Sequence, residues 1–364
     1  MAIQIFIFLT ILSGITLAWT YAILRIIIVL FPVLSRYSTP IMIIGLLWSL
    51  AFIIGILGAN SIPNDTFSNI YKYGAIWLGG ITITGFIAFI MLIISAAFGL
   101  TYTHIGYLIG FFILTLGINA WSLIASFVPK IIEYSVDIKT PHTWHGKKII
   151  MIADTHYGNI YNKEDARKLV ETINTLSGEV VIIPGDFFDG PKIDFSEVAD
   201  EFKNIQAPYG VLFANGNHEE YRNTEDILNS LEKSGIQILN NKKIEIDGMN
   251  FIGVTYHTTE SLSWLTTALN SLELEKGKSN ILLKHKPTLI ENLTKYPIDL
   301  VVSGHTHRGQ MFPFSIIPDI IYGRYAYGMN TLENLTAITT SGVGSWWPPQ
   351  RLGTRSEIVV IKIK

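Results

Sequence analysis

The sequence predicts an α+β protein in which an N-terminal transmembrane helical bundle precedes a domain of two packed β-sheets with helices outside. Two observations predict this architecture. Charged residues are almost absent before Lys130 and occur at an ordinary frequency after it. Beyond that point, short β-branched runs alternate with helical segments in the order β-α-β-α-β-α, and a strand-rich second half follows. We therefore expect a transmembrane helical domain at residues 1–129, a polar linker at 130–147 and a soluble domain at 148–364.

Four segments before Lys130 are long and apolar enough to span a bilayer, whose hydrocarbon core of about 30 Å takes roughly 20 helical residues. The predicted spans, all free of Asp, Glu, Lys and Arg, are Ala2–Leu24, Ile41–Ala59, Ala75–Phe98 and Ile105–Phe127. Aromatic residues near their ends, such as Trp19 and Trp77, are typical of interfacial anchors. A cleaved signal peptide would begin with basic residues and have a shorter apolar core, so we favour membrane spans.

The distribution of basic residues favours a cytoplasmic soluble domain. With an even number of spans, the N-terminus and the soluble domain lie on one side of the membrane. That side carries Lys72, Lys130 and Lys139, whereas the other has only Arg25 and Arg36. The positive-inside rule therefore predicts a multi-pass protein of the cell membrane with its soluble domain in the cytoplasm.

The composition restricts the chemistry. A net charge of −2 and the lack of a basic tract give no sign of a nucleic-acid partner. The sequence contains no cysteine, which excludes disulfides and thiolate metal sites. Any bound metal must therefore be held by His, Asp, Glu or Asn.

Further helices and strands complete the soluble domain. Asn162 or Lys163 begins a helix that runs to about Leu176, and Gly178 is its stop signal. A hairpin is predicted across Asp247-Gly248. The remaining predicted elements are helices at Phe195–Ile205, Thr224–Ser234 and Ser261–Glu273 and late strands at Ala337–Thr340 and Glu357–Lys364.

Five predicted strands are each followed at once by side chains that can bind a metal ion. The residues after these strands are Asp154-Thr-His156, Gly185-Asp186-Phe-Phe-Asp189, Gly216-Asn217-His218-Glu219, His285 and Gly304-His305-Thr-His307. Buried unpaired charges are costly, and a shared metal cluster removes that cost. One such motif alone is weak, but five at strand ends favour a common metal site. For Asp189, a role in supporting the ligands or capping the turn is favoured over direct ligation.

These five motifs, in this order, resemble the calcineurin-like metallophosphoesterase family across roughly residues 147–310. The family pattern is Asp-x-His, Gly-Asp-x-x-Asp, Gly-Asn-His-Asp/Glu, a lone His and Gly-His-x-His. Together with the multi-span N-terminus, the block Gly304–Gln310 resembles the membrane-attached bacterial branch of that family. That branch usually has glycine where this chain has Arg308. The resemblance implies a four-layer α/β/β/α metallophosphoesterase sandwich.

The resemblance also implies two divalent metal ions and the residues that bind them. One ion is expected on Asp154, His156, Asp186 and His307, and the other on Asp186, Asn217, His285 and His305. Ligands of mixed nitrogen and oxygen type are compatible with Mn, Fe or Zn. His218 is expected to protonate the leaving group or to stabilise its charge. For the phosphate, Arg308, Arg324 and Arg351 are candidate ligands, and we favour Arg308.

For the substrate, the leading interpretation is a phosphodiester or pyrophosphate of lipid or nucleotide-lipid type, with the bilayer as partner. The apolar and aromatic segments Met311–Tyr327 and Ser345–Arg351, which includes Trp346 and Trp347, would then lie at the bilayer surface. Packing of these segments on the sheet or the membrane helices is an equal alternative. The same chemistry on a soluble cyclic nucleotide or phosphoprotein is a second interpretation. A non-catalytic membrane scaffold or sensor is a third, disfavoured because every expected ligand position is filled.

Overall fold

The computed structural model describes residues 2–62, 64–99, 105–138, 141–190, 194–221, 224–346 and 348–364. Lys139 and Trp347 lie outside the described residues. The chain divides into two compact units, one of Met1–Ile124 with Trp347–Gln350 and one of Ala125–Trp346 with Arg351–Lys364. The division falls a few residues before position 129, where the sequence predicts the end of the helical domain.

The first unit is built from long apolar helices. They are α1 (Ala2–Leu30), α2 (Ser38–Ser61), α3 (Asp65–Phe98) and α4 (Ile105–Phe127), the last turn of which belongs to the second unit. Within the described residues, these four helices are long and apolar enough to cross a membrane. Each predicted span lies within one of them.

Helix α3 begins before its predicted span because of its polar cap. The Asn64 side chain accepts a hydrogen bond from the Phe67 N–H at 3.0 Å, and Asp65 lies in the first turn, where a negative charge favours the helix dipole. The helix ends at Gly99, whose φ of 60° places it in the left-handed region. The apolar pattern alone therefore underestimates the length of the helix.

The described residues of the second unit form two six-stranded sheets, in the orders β1-β12-β2-β3-β4-β5 and β10-β11-β9-β8-β7-β6. The strands are β1 (Lys130–Val136), β2 (Lys148–Met151), β3 (Val180–Pro184), β4 (Val211–Ala214), β5 (Ile236–Ile238), β6 (Lys242–Ile246), β7 (Met249–Gly253), β8 (Ser279–Leu283), β9 (Leu300–Ser303), β10 (Gly328–Leu332), β11 (Leu335–Thr339) and β12 (Glu357–Ile363). The helices are α5 (Lys163–Leu176), α6 (Phe195–Ala199), α7 (Asn217–Glu220), α8 (Thr224–Lys233), α9 (Leu262–Ser271), α10 (Ile290–Leu293) and α11 (Ile316–Tyr322).

The two sheets pack face to face around one apolar core. Ile182 of β3 and Leu212 of β4 share this core with Phe251 of β7 and Val302 of β9. On the outer face of the second sheet, Leu282 of β8 packs in a separate cluster with side chains of α9 and α10. Successive residues of a strand point to opposite faces, which explains why these central strands are apolar throughout. The predicted sandwich of two sheets with helices outside is confirmed.

Residues 130–147, expected to be a linker, contain a strand of the first sheet. Strand β1 pairs in parallel with β12 along its whole length, from Lys130 opposite Glu357 to Val136 opposite Ile363. It is an edge strand whose residues are mostly exposed, so it keeps polar side chains and lacks the apolar pattern of a buried strand. The linker expectation is corrected accordingly, and the sheet domain begins at Lys130.

Candidate metal centre

The loops that follow five strands bring the predicted ligands to one end of the sandwich. Strands β2, β3 and β4 are parallel neighbours in the first sheet, and β8 and β9 are parallel neighbours in the second. Parallel strands end at the same edge of a sheet, so the residues after them become neighbours. Strand β3 also contacts β8 across the core, which brings the two edges together.

A first group of donor atoms comes from Asp154, His156 and His307, all of which are buried. The Nε2 atoms of His156 and His307 lie 3.0 Å apart, and Nε2 of His307 lies 3.6 Å from Oδ1 of Asp154. One donor atom from each of the three residues lies within 4.8 Å of the others. This spacing would let one ion contact all three side chains.

A second group comes from Asp186, His285 and His305. Nε2 of His285 lies 3.0 Å from Oδ2 of Asp186 and 3.9 Å from Oδ1 of Asp154, so the two groups are adjacent. Oδ1 of Asn217 lies 2.9 Å from Nδ1 of His305 and joins this group. All seven predicted ligands therefore lie together, although Asp186, the predicted bridge, groups with the second set only.

These residues fit a pair of divalent ions. Within the described chain, Nε2 of His285 is buried and has no hydrogen-bond partner; its contact with Asp186 lacks hydrogen-bond geometry. A buried polar atom without a partner costs about 1–3 kcal/mol, and a metal ion removes that cost. The donor set consists of carboxylate, amide oxygen and imidazole, which suits Mn, Fe or Zn.

The charge states of the histidines differ across the centre. Burial, followed by the neighbouring His285, lowers the pKa of His305 to about 3, and burial together with His156 holds the pKa of His307 well below its usual value. For His285, burial is outweighed by Asp186 and Asp154, which raise its pKa to about 9. His305 and His307 are therefore neutral, which is the form of imidazole that binds metals.

His218 and Asp189 lie beside the two groups. Nδ1 of His218 lies 2.9 Å from Oδ1 of Asp189, and Nε2 of His218 lies 4.0 Å from Oδ2 of Asp186. Burial would lower the pKa of His218, but the hydrogen bond to Asp189 and the charge of Asp186 outweigh it and raise the pKa to about 9. The His218 side chain stays 16% exposed, so it is accessible to a ligand in the centre.

The backbone of the centre adopts conformations that side chains usually avoid. Positive φ angles occur at Asp154 (52°), His156 (48°), Asp186 (55°), His305 (71°) and His307 (45°). Each costs on the order of 1–3 kcal/mol and persists only where its surroundings enforce it. Five of the seven predicted ligands adopt such a conformation, and eight other non-glycine residues of the described chain do so as well.

Two motif glycines are explained by close packing against the carboxylates. A Cβ atom at Gly216 would overlap Oδ1 of Asp186, and one at Gly304 would overlap Oδ2 of Asp154. The absent side chains let the loops after β4 and β9 close over the two carboxylates.

Glu219 is a buried residue of the candidate site whose contacts the sequence does not reveal. It is fully buried, and its carboxylate accepts hydrogen bonds from four backbone N–H groups of Gly216, Asp186, Phe187 and Phe188, at 2.8, 3.0, 2.8 and 3.3 Å. It thereby ties the loop after β4 to the loop after β3. In the sequence, its position in the Gly-Asn-His-Asp/Glu motif was the only feature that pointed to this residue.

The three arginines considered for phosphate binding have different surroundings. Arg351 is fully buried, and its guanidinium donates to the carbonyl oxygens of Ser341 (2.7 Å) and Gly344 (2.5 Å), so it is not free to bind phosphate. Arg324 donates to the Tyr325 hydroxyl at 2.8 Å. Arg308 is exposed, with its guanidinium carbon 4.3 Å from the centroid of the Tyr327 ring.

Comparison with known proteins agrees with this geometry. Residues 147–309 match the calcineurin-like phosphoesterase family. The chain is 31% identical over 236 residues to an uncharacterized metallophosphoesterase of Campylobacter jejuni, which covers 63% of this chain and 62% of the relative. It is 28% identical over 253 residues to a transmembrane protein with metallophosphoesterase domain of Danio rerio, covering 65% of this chain and 57% of the relative.

A crystal structure of a dimetal phosphatase from Danio rerio aligns with a TM-score of 0.33 and 13% identity, covering 54% of this chain and 87% of that chain. The chain spans about three fifths of the length of the first curated relatives it matches, at 62% and 59%.

Proposed function

We propose that the chain is a calcineurin-like metallophosphoesterase that acts as a membrane-anchored phosphoesterase and needs two divalent metal ions. One observation carries this proposal: seven side chains able to bind metal converge from five strand ends, and the buried Nε2 of His285 among them lacks a hydrogen-bond partner within the described residues. The four apolar helices support attachment to a membrane.

The proposed ligands of one ion are Asp154, His156, Asp186 and His307, and those of the other are Asp186, Asn217, His285 and His305. When bound, the ions would activate a water nucleophile and neutralise charge on the phosphoryl oxygens. The donor set is equally compatible with Mn, Fe and Zn, and Mn is the ion we would test first.

His218 is proposed as the general acid. Its Nδ1–H donates to Asp189, which leaves Nε2 to face the ligand side of the centre. A pKa raised to about 9 keeps the imidazole protonated at neutral pH, so that Nε2–H can be transferred to the leaving oxygen of the ester. Arg308, exposed beside the last motif, is proposed to contact the phosphate.

The proposed substrate is a phosphodiester or pyrophosphate of lipid or nucleotide-lipid type, hydrolysed at the cytoplasmic face of the cell membrane. Four apolar helices and the basic residues Lys72 and Lys130 support this location. A soluble cyclic nucleotide or phosphoprotein is the second candidate substrate, since the metal centre itself does not select the rest of the ester.

The full chain purified in detergent with added Mn should hydrolyse a chromogenic phosphodiester, and a monoester assayed in parallel tests its preference. Asp186→Asn should lower the rate by at least about a hundredfold, because it removes one charge from both predicted ion sites. The exposed Glu232→Gln in α8 is the matched control and should retain the rate. Full activity in Asp186→Asn, or no hydrolysis with any divalent ion, would overturn the proposed function.

A further inference from the structure

One short segment beside the metal centre exposes an unusual density of apolar side chains. Residues 312–321 contain six large apolar side chains that are 50–77% exposed: Phe312, Phe314, Ile316, Ile317, Ile320 and Ile321. Elsewhere in the described second unit, exposed apolar side chains such as Val128, Leu262 and Met329 are scattered singly or in pairs. Scattered residues need no explanation, whereas a contiguous patch marks an interaction surface.

The segment is joined directly to the predicted ligands. It follows the short helical turn His307–Gly309, and Gly309 packs too closely against the backbone of Phe314 and Ser315 to carry a side chain. At the other end, the ring of Tyr322 lies 6.1 Å from that of His305, centroid to centroid. Whatever covers residues 312–321 is therefore held next to the metal centre.

The charges around the segment favour an anionic, apolar environment. Arg308 precedes it and Arg324 follows it, both exposed, while Asp319 is the only acidic residue within it. Apolar side chains flanked by basic ones are typical of segments that lie in the interface of a membrane with anionic lipids. If the segment bound a protein partner, a polar rim with many hydrogen-bonding groups would instead be expected around it.

The long apolar helices of the same chain favour a lipid bilayer as the apolar environment that covers the segment. Its four helices long and apolar enough to cross a membrane would hold the protein at a bilayer permanently. An exposed apolar segment on such a chain meets lipid at an effective concentration that no dissolved partner reaches.

We propose that residues 312–321 insert into the bilayer interface beside the metal centre, and that the substrate is a phosphate ester carried by a lipid headgroup. The substrate part of this inference rests on the proposed function, whereas the insertion does not. Insertion would place lipid headgroups at the level of Arg308 and Tyr322, next to His305. The ester would then reach the centre without leaving the membrane surface.

Insertion can be measured without any activity, because the sequence contains no cysteine and a single introduced one can be labelled selectively. Full-length Ile320→Cys carrying a nitroxide is reconstituted in vesicles of phosphatidylcholine and phosphatidylglycerol, with Glu232→Cys on exposed α8 as control. The label at position 320 should be more accessible to oxygen than to a water-soluble nickel complex. The label at position 232 should be more accessible to the nickel complex than to oxygen. Equal accessibility to the nickel complex at both positions would refute insertion. Spin–spin broadening at 320 would show a contact between two copies and would also refute it.

The substrate part is tested with matched esters. Ile320→Asp/Ile321→Asp should lower hydrolysis of a phospholipid phosphodiester in vesicles by about tenfold or more, since two charges oppose insertion. Hydrolysis of a soluble chromogenic diester should change less than about twofold, because both side chains are exposed in the free protein. The control Thr267→Asp/Asn270→Asp, on exposed positions of α9, should change neither rate.

Equal losses of activity on both esters would overturn the proposal of a lipid substrate. If the unaltered protein hydrolysed none of the esters, the proposed function would be overturned. The nitroxide accessibility measurement would then be the test of the insertion.

Discussion

Asp189 Oδ1 accepts a hydrogen bond from Nδ1 of His218 at 2.9 Å. The other carboxylate oxygen of Asp189 lies 3.5 Å from Nδ1 of His156, so one carboxylate serves two histidines. Burial raises the pKa of Asp189, but the neighbouring His156 and the hydrogen bond from His218 outweigh it and hold the pKa well below its usual value. Asp189 is thus ionised, orients the His218 ring through Nδ1–H and keeps the imidazole protonated.

Asp189→Asn should therefore lower kcat by about 10- to 100-fold, which is less than the roughly 10²- to 10⁴-fold contribution of a positioned acid because His218 itself remains. The amide keeps the size of the side chain but removes the charge that raises the pKa of His218. The alkaline fall of the pH–rate profile should consequently move to lower pH. Steady-state kinetics between pH 6 and 10 would measure both effects, with His218→Gln as reference. An unchanged alkaline limb would mean that Asp189 does not control the proton on His218.

Glu219→Gln should destabilise the second unit strongly. Oε1 of Glu219 accepts from the N–H groups of Phe187 and Phe188, and Oε2 accepts from those of Asp186 and Gly216. An amide group in either orientation would direct its NH₂ at two of these donors. Losing such charge-assisted bonds in a buried site costs about 3 kcal/mol or more.

The midpoint of denaturant unfolding of the detergent-solubilised protein would measure this loss. Glu232→Gln, exposed in α8, is the control and should leave the midpoint in place. Equal midpoints for the two variants would show that Glu219 does not hold the loops together.

The sequence predicts which side chains meet at the candidate site because most of the pattern is local. Asp154 and Asp186 follow the apolar strands β2 and β3, whose parallel pairing is enough to bring them together. His285 follows β8 of the other sheet and reaches them because the two sheets pack face to face. Strand β1 was not predicted, because an edge strand needs only one buried face and its polar side chains resemble a linker. The role of Arg351 was also beyond the sequence, since its contacts with His307 and Ser341 depend on how a late loop folds back over the site.

Arg351→Lys should weaken metal binding by about 10- to 100-fold, the usual effect of losing a group that orients a ligand. Nη2 of Arg351 lies 3.3 Å from Nδ1 of His307, and Nη1 lies 3.4 Å from the carbonyl oxygen of the same residue. Nε donates to Ser345 Oγ at 3.1 Å, which anchors the guanidinium. A lysine ammonium cannot contact these separate groups at once.

Calorimetric titration of Mn into the metal-free protein would measure the affinity directly. Arg355→Lys, at an arginine that donates to Val128 O at 3.4 Å, is the matched control. A dissociation constant for Arg351→Lys within about twofold of the control would rule out a positioning role for Arg351.

Removal of the metal should make the stability of the protein fall as the pH rises from about 7.5 to about 9. The pKa values of His218 and His285 are both raised to about 9, in each case because neighbouring aspartates outweigh burial. A histidine has a pKa of about 6.5 in the unfolded chain. Their protonation therefore stabilises the folded state fully below pH 6.5, and this contribution is lost as the pH rises through 9. His305 and His307, with lowered pKa values, are neutral in both states only above about pH 7.5. Lys284, whose pKa burial lowers to about 7, opposes the trend with one proton against the two of His218 and His285. Thermal unfolding of the chelator-treated protein across this pH range would measure the effect. In His218→Gln, the melting temperature should depend less steeply on pH. A melting temperature that rises toward pH 9 in the metal-free protein would contradict these charge states.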